Sequence, residues 1–379
     1  MSIIKLFSSL YKTSIMDRRD VKRILVIRLR ELGDSLLTTP MIRQLDHLFA
    51  DAKIDVLCQN TNRLIFEHNP HISEIFELPR KAKAGIFLRV ARQMRDRSYD
   101  IVVDPQSLPK TALLTRLTGA PRRIGFRKRW LRNRLCYTHP YRLDQLEYFA
   151  ISYLKLLQDD RVDLNDVHLD FPVSDADREK ARQFRDTWFK SPVAALFGVG
   201  KSEDDYRLWS SAKMAKLGDR FAEAGFQPFL VYGPGQEAAA RNIASQMHCE
   251  PIVDYPMPSF RVLKEILAGC DVFVGNDGGP KHLGIAAETP TVALFHNSHK
   301  AVIWNPPQNP CHRIVATECG LSRDLVVGDL VDVDQLDEVS VDTVWKQVQA
   351  LISDGYVRRA RSSAKSGILQ GCTVEHEAH

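Results

Sequence analysis

Apolar residues along this chain fall in short runs that alternate with longer stretches of helical spacing. Arg23–Arg28 (RILVIR) reads as a buried strand. Ser35 to Phe49 follows with helical spacing of Leu36, Leu37, Ile42, Leu45 and Leu48. Further strands are expected at Ile54–Cys58, Ile75–Leu78 and Ile101–Val103, with Leu113–Leu117 inside a helix. The pattern restarts at Val193–Phe197. A helix at Ala212–Ala224, a strand at Phe229–Tyr232 and a helix at Glu237–Met247 follow, and then Phe260–Ala268, Asp271–Val274, Leu283–Ala287 and Thr291–Phe295. Such alternation predicts an α/β fold with mostly parallel sheets and helices on both faces, in two units. The charged stretch Ser174–Lys190 reads as helical, with the linker at 172–191. The expected division is a flexible or membrane-touching segment 1–20, a first domain 21–180, a second 181–355 and a tail 356–379.

Ligands of open α/β sheets bind beyond the carboxyl ends of the strands. Five post-strand segments therefore matter: Gly33-Asp34, Asp104 to Ser107, Gly198 to Lys201, Gly233-Pro234-Gly235 and Asn276 to His282. The last carries the strongest signal. A strand runs into Gly278-Gly279-Pro280, where two glycines admit a ligand close to the backbone. Pro280 suits a first helical turn, and the free N–H groups there favour phosphate. Lys281 and His282 add donors, and Asp277 stands beside them.

Asp34 has two readings. It caps the helix that follows the first strand, or it is a general base for a hydroxyl group. Arg28 and Arg30 would hold it ionised or bind an anionic ligand. Ala195 to Ser202 loosely follows a P-loop, but Glu203, Asp204 and Asp205 would repel phosphates and no apolar helix follows. Lys201 and Arg207 are more plausible as separate phosphate contacts. Pro121 to Arg134 holds seven basic residues, Arg122, Arg123, Arg127, Lys128 and Arg129 among them, and no acid. With Phe126 and Trp130 it suits nucleic acid, yet no nucleic-acid motif accompanies it. An acidic, phosphorylated acceptor at a membrane surface is the preferred partner.

Composition narrows the class. At 44% hydrophobic and 26% charged, 379 residues make an ordinary globular protein, and no run approaches the length of a membrane helix. Seven cysteines without a CxxC pair point to reduced thiols and a cytoplasmic setting. Cys311, His312 and Cys319 lack zinc spacing, so no metal and no cofactor are expected.

Three segments, taken in order, resemble the ADP-heptose:lipopolysaccharide heptosyltransferases of glycosyltransferase family 9. They are ILVIRLRELGDSLLTTPMIRQL, TGAPRRIGF and VGNDGGPKHLGIAAETPTVALF, and the resemblance spans about Arg23 to Gln349. It implies a GT-B fold with the acceptor on the first Rossmann-like domain and the nucleotide-sugar on the second. It implies inverting, metal-independent transfer of a heptose to a lipopolysaccharide core or lipid A precursor, at the inner membrane surface. Asp34 matches the family's base, and Gly278, Gly279 and His282 match the turn that meets the donor diphosphate, with Asp277 beside the sugar. Glu237 falls where the family has an acid for the ribose. Arg207, in Tyr206-Arg207-Leu208-Trp209, resembles a family Lys or Arg before Trp. Here Gly278 replaces the usual hydroxyl residue. Four alternatives stay open. A GT-B enzyme with another donor would prefer a different nucleotide. A non-catalytic polysaccharide- or lipid-binding module would lack Asp34 opposite the Gly-Gly turn. A nucleic-acid binder would show salt-sensitive binding to any sequence. A P-loop NTPase would hydrolyse ATP through Lys201.

Overall fold

The structure is a computed structural model, and it describes residues 21–127, 135–144, 146–200, 207–307, 309–317 and 326–357. Lys128, Arg129 and Lys201, the segment before residue 21 and the tail beyond 357 lie outside the described residues.

The first unit begins with β1 (Arg23–Arg28), whose residues after Arg23 are all buried. Two helices follow, α1 (Leu32–Leu36) and α2 (Thr39–Leu48), where one had been expected over Ser35 to Phe49. Pro40 opens the second helix and cannot continue the ladder of the first. At the junction Thr38 Oγ1 donates to the Asp34 carbonyl at 2.9 Å. Next come β2 (Lys53–Cys58), the short α3 (Arg63–Phe66), β3 (Glu74–Glu77), α4 (Ala84–Asp96), β4 (Ile101–Asp104) and α5 (Pro109–Leu117). The unit closes with β5 (Arg122–Phe126), β6 (His139–Tyr141) and α6 (Phe149–Leu156). β5 runs through the basic stretch, because Ile124 and Phe126 are buried while Arg122 and Arg123 lie at its outer end.

A second unit repeats the design. It contains α7 (Asp175–Trp188), β7 (Val193–Phe197), α8 (Ser211–Glu223), β8 (Gln227–Leu230), α9 (Glu237–Ala244) and α10 (Phe260–Leu267). It continues with β9 (Val272–Asn276), α11 (Gly279–Ala286), β10 (Thr291–Phe295), α12 (Ser298–Trp304), β11 (His312–Thr317), β12 (Gly328–Val331) and α13 (Val341–Ser353). The expected boundary at residue 180 falls inside α7. That helix packs on the second unit: its Phe184 ring stands 5.8 Å from Phe229 and 5.4 Å from Tyr255.

Both sheets are parallel, with orders β3-β2-β1-β4-β5-β6 and β12-β11-β10-β9-β7-β8. Each order reverses once, between β1 and β4 in the first sheet and between β7 and β9 in the second. A crevice opens at such a reversal, beyond the carboxyl ends of the strands. Four of the five candidate segments follow these four strands.

Close packing at the second reversal depends on Gly275. It pairs with Phe197, and a Cβ on it would sit 2.6 Å from Phe197 Cβ and 2.7 Å from the Phe197 carbonyl oxygen. Backbone cannot yield as a side chain can. Gly275→Ala is therefore expected to destabilise the chain by about 1–3 kcal/mol. Urea unfolding measures this, and an unchanged midpoint would contradict the packing described.

Candidate active site

The first half of the site grows from the end of β1. Leu29 N–H donates to Gln106 Oε1 at 2.8 Å, tying this loop to the one after β4. Asp34 stands in the first turn of α1, where Glu31 N–H donates to its Oδ2 at 3.2 Å. It is thus a cap, as one reading held. Its other oxygen, Oδ1, lies 2.7 Å from Arg28 Nη2. The Arg28 side chain is 3% exposed and that of Asp34 21%, so the cation is sealed in while the carboxylate reaches solvent. Arg28 also lies over the Tyr153 ring, 5.3 Å from its centroid. Burial works against its charge, but Asp34, Tyr153 and Asp104 more than offset this, and the guanidinium is held more firmly protonated than usual. Of the two readings of Arg28, a partner for Asp34 or a contact for an anionic acceptor, the structure shows the pairing with Asp34.

The second half is the turn after β9. Asp277 N–H donates to the Leu294 carbonyl at 3.1 Å, and Gly278 is fully extended as it enters α11. A Cβ on Gly278, that of the family's usual hydroxyl residue included, would stand 3.0 Å from Phe197 Cε1, so the Phe197 ring would have to yield to it. Asn276 Oδ1 accepts the Trp209 N–H at 3.2 Å, and Trp209 Nε1 donates to the Val339 carbonyl at 2.9 Å. These bonds bring the segment 207–209, Arg207 included, to the end of β9. Glu237 opens α9 and is half-buried beside Gly233-Pro234-Gly235. The adjoining Gln236 bonds Gly233 N–H through Oε1 (2.8 Å) and the Gly200 carbonyl through Nε2 (2.9 Å).

Lys281 departs from expectation. It is fully buried, and its Nζ donates to the Trp304 carbonyl at 2.7 Å and lies 3.3 Å from Asp277 Oδ1. Its position on the inner face of α11 turns it away from the cleft, so it ties α11 to the end of α12 and orients Asp277. His282 is also buried, and its Nδ1 has no partner.

The two halves touch. A Cβ on Gly33 would lie 2.6 Å from His282 Cδ2, so the residue before Asp34 packs on the helix that follows the Gly-Gly turn. An aromatic chain runs beneath. The His282 and Trp304 rings are 5.9 Å apart, Trp304 and Phe149 4.6 Å, Phe149 and Tyr153 5.8 Å. Tyr153 then meets Arg28. At one side Arg261 of α10 clasps the first unit, donating through Nε and Nη2 to the Leu64 carbonyl at 3.2 and 3.1 Å and pairing with Glu67. Neither Tyr153 nor Trp304 was singled out from the sequence. The available signal was Arg28 itself: an arginine ending a buried strand needs an anion and a packing partner.

Other expected residues are more scattered. Arg30 is exposed and near Lys110, whose proton affinity is lowered by burial and by that neighbouring charge. Arg123 donates to the Cys136 carbonyl at 2.7 Å and to the Ala120 carbonyl at 2.5 Å, so its guanidinium holds local backbone. Arg127, at the end of β5, is exposed. Asp104 is buried and holds its own loop, accepting from Ser107 N–H at 2.8 Å and Tyr137 OH at 2.6 Å. Among the described residues no three His, Cys, Asp or Glu converge as metal ligands, and no helix is long and apolar enough to cross a membrane.

Two Rossmann-like units, with a paired carboxylate on one and a Gly-rich helix start on the other, form the arrangement of a nucleotide-sugar glycosyltransferase. Residues 87–326 match the pattern of glycosyltransferase family 9 (heptosyltransferase), and the chain belongs to that family. It is therefore a glycosyltransferase, of the heptosyltransferase family of lipopolysaccharide core biosynthesis. Lipopolysaccharide heptosyltransferase 3 of Escherichia coli K12 is 26% identical over 298 residues, covering 73% of this chain and 83% of that protein. Lipopolysaccharide heptosyltransferase 2 of the same strain is 25% identical over 317 residues, covering 79% and 90%. Among solved structures, a family 9 glycosyl transferase from Veillonella parvula has a TM-score of 0.75 at 24% identity, covering 89% of this chain and 98% of that one. The ADP-heptose lps heptosyltransferase II of E. coli has a TM-score of 0.67 at 19% identity, covering 88% and 99%. Both share the fold, GT-B.

The buried histidines make stability depend on pH. Burial and then the nearby Lys281 hold His282 well below the usual histidine range, and the same two causes bring His312 to about 4. The unfolded chain protonates them near 6.5, whereas the folded chain does not. Their contribution is complete above about pH 6.5 and falls as pH drops, by roughly 1.4 kcal/mol per unit for each histidine. For His312 the loss levels off near its folded value. Urea unfolding between pH 7 and 5 is expected to show this slope, lowered in His312→Gln. A slope identical in the variant would contradict the burial.

Proposed function

We propose that this chain transfers a heptose from ADP-heptose to a phosphorylated lipopolysaccharide core acceptor, with inversion and without a metal, at the cytoplasmic side of a membrane. The observation that carries this reading is the juxtaposition of Asp34 with the Gly278-Gly279 turn through Gly33 and His282. In this reading Asp34 takes the proton from the acceptor hydroxyl as that oxygen attacks the anomeric carbon. The C–O bond to the diphosphate breaks on the opposite face. Charge on the departing diphosphate meets the free N–H groups at the start of α11, with Arg207 and Lys201 as further contacts. Glu237 takes the ribose, and Asp277 the sugar. Arg30 and Arg127 take the phosphorylated acceptor, with Lys128 and Arg129 as further contacts, whereas Arg122 opens β5 at the amino end of the sheet, away from the crevice beyond the carboxyl ends. Arg28 aims the Asp34 carboxylate through its ion pair. The relatives support heptose as the sugar, since their names specify lipopolysaccharide heptosyltransferases.

The donor is tested by calorimetric titration of the purified chain with ADP, UDP, GDP and CMP, without metal and again with magnesium. ADP is expected to bind at least tenfold more tightly than the others and equally well in both buffers. Preference for UDP or GDP would keep the fold and overturn heptose. A strict requirement for magnesium would overturn the metal-free mechanism.

A further inference from the structure

One face of the first unit carries far more positive charge than the mechanism uses. Residues 79–97 and 105–127 contain twelve Lys and Arg and a single acid, Asp96, in a chain whose totals are 52 basic and 47 acidic. Most of these cations lie on α4, α5 and the loop before α4, which cover the same side of the first sheet around Val90, Met94 and Leu114. On α5, Leu113 points outward, 47% exposed, between Lys110 and Arg116 one helical turn to either side. On α4, Leu88 is 60% exposed, with Arg92 and Arg95 in line at i+4 and i+7. A Cβ on Gly119, just past α5, would stand 4.0 Å from Arg95 Nε, so this side of α4 faces α5. Ile86, also exposed, extends the apolar surface at the start of α4.

Like charges crowd one another here. Lys110 feels Arg30 and Arg123 feels Arg116, each made less basic by burial first and the neighbouring cation second. An extended anionic surface would offset this crowding without a matching pocket. Exposed leucines among the cations select a surface with an apolar interior beneath its charges. The pattern runs from Arg30 and Lys110 beside the Asp34 loop, so a surface held there would present its headgroups to the cleft.

We propose that the α4–α5 face docks on an anionic phospholipid bilayer, with Leu88 and Leu113 entering the headgroup layer and Arg92, Arg95, Lys110 and Arg116 pairing with lipid phosphates. This deepens the reading above, which places the acceptor at a membrane, by naming the surface and the lipid charge. The test is sedimentation of the full chain with vesicles of phosphatidylglycerol and phosphatidylethanolamine, and with vesicles of phosphatidylcholine alone. Binding is expected to be about tenfold or more stronger on the anionic vesicles and to weaken as salt rises. The triple variant Leu88→Gln, Leu113→Gln, Arg116→Gln is expected to lose about tenfold in vesicle binding while its urea midpoint and ADP affinity stay unchanged. Three results would overturn the proposal: equal binding to both vesicle types, no binding to the anionic ones, or a triple variant that binds as the parent does. The second would remove lipid as the partner of this face, and the third would place membrane contact elsewhere in the chain. Loss of ADP selectivity with vesicle binding intact would remove the donor reading and leave this one standing.

Discussion

The approach of Gly33 to the His282 ring is the constraint on which the site depends. With no side chain on Gly33, the loop after β1 can lie directly on α11. That contact brings the Asp34 loop against the helix that follows the turn after β9, although Asp34 and Asp277 lie 243 positions apart in the chain. Each sheet contributes the crevice at its own reversal of strand order: Asp34 belongs to the first, and Asp277 with the Gly278-Gly279 helix start to the second. The Arg261 clasp and the chain of rings from Tyr153 to Trp304 add side-chain contacts between the same two units.

Charge is divided by depth. Arg28 and Lys281 are buried, each beside a carboxylate of the site, and each is satisfied by protein groups: Asp34 and the Tyr153 ring for one, Asp277 and the Trp304 carbonyl for the other. In each pair the cation is sealed in while the carboxylate reaches solvent, so removing the carboxylate would leave a buried charge without its counter-ion. The buried cations orient carboxylates, while Arg30, Arg116 and Arg127 are exposed to solvent.

The sheet architecture was legible because fully buried parallel strands leave continuous apolar runs, as in RILVIR and TVALF. The post-strand segments were legible for the same reason, since the end of a run marks the end of a strand. The helix over 35–49 was misjudged at Pro40, where apolar spacing continued across a break that the missing N–H imposes. β5 was hidden by its arginines, which sit at the strand's outer end while Ile124 and Phe126 fill the core. Side-chain direction was the harder problem. Arg28 read either as a partner of Asp34 or as a contact for an anionic ligand, and Lys281 as a donor to the ligand; three-dimensional packing shows each beside a neighbouring carboxylate. Tyr153 and Trp304 carried no local signal, because their partners lie in distant segments.

The most direct measurement is single-turnover transfer from ADP-heptose to a heptose-deficient lipopolysaccharide acceptor, run on the parent chain, Asp34→Asn and Arg28→Met, with ADP affinity measured on each. The parent is expected to transfer heptose. Asp34→Asn should lose at least about a hundredfold in rate with ADP affinity unchanged. Arg28→Met should be slower with ADP affinity unchanged, because Asp34 loses the guanidinium that aims its Oδ1. An Asp34→Asn variant that transfers heptose as fast as the parent would contradict the account at its centre.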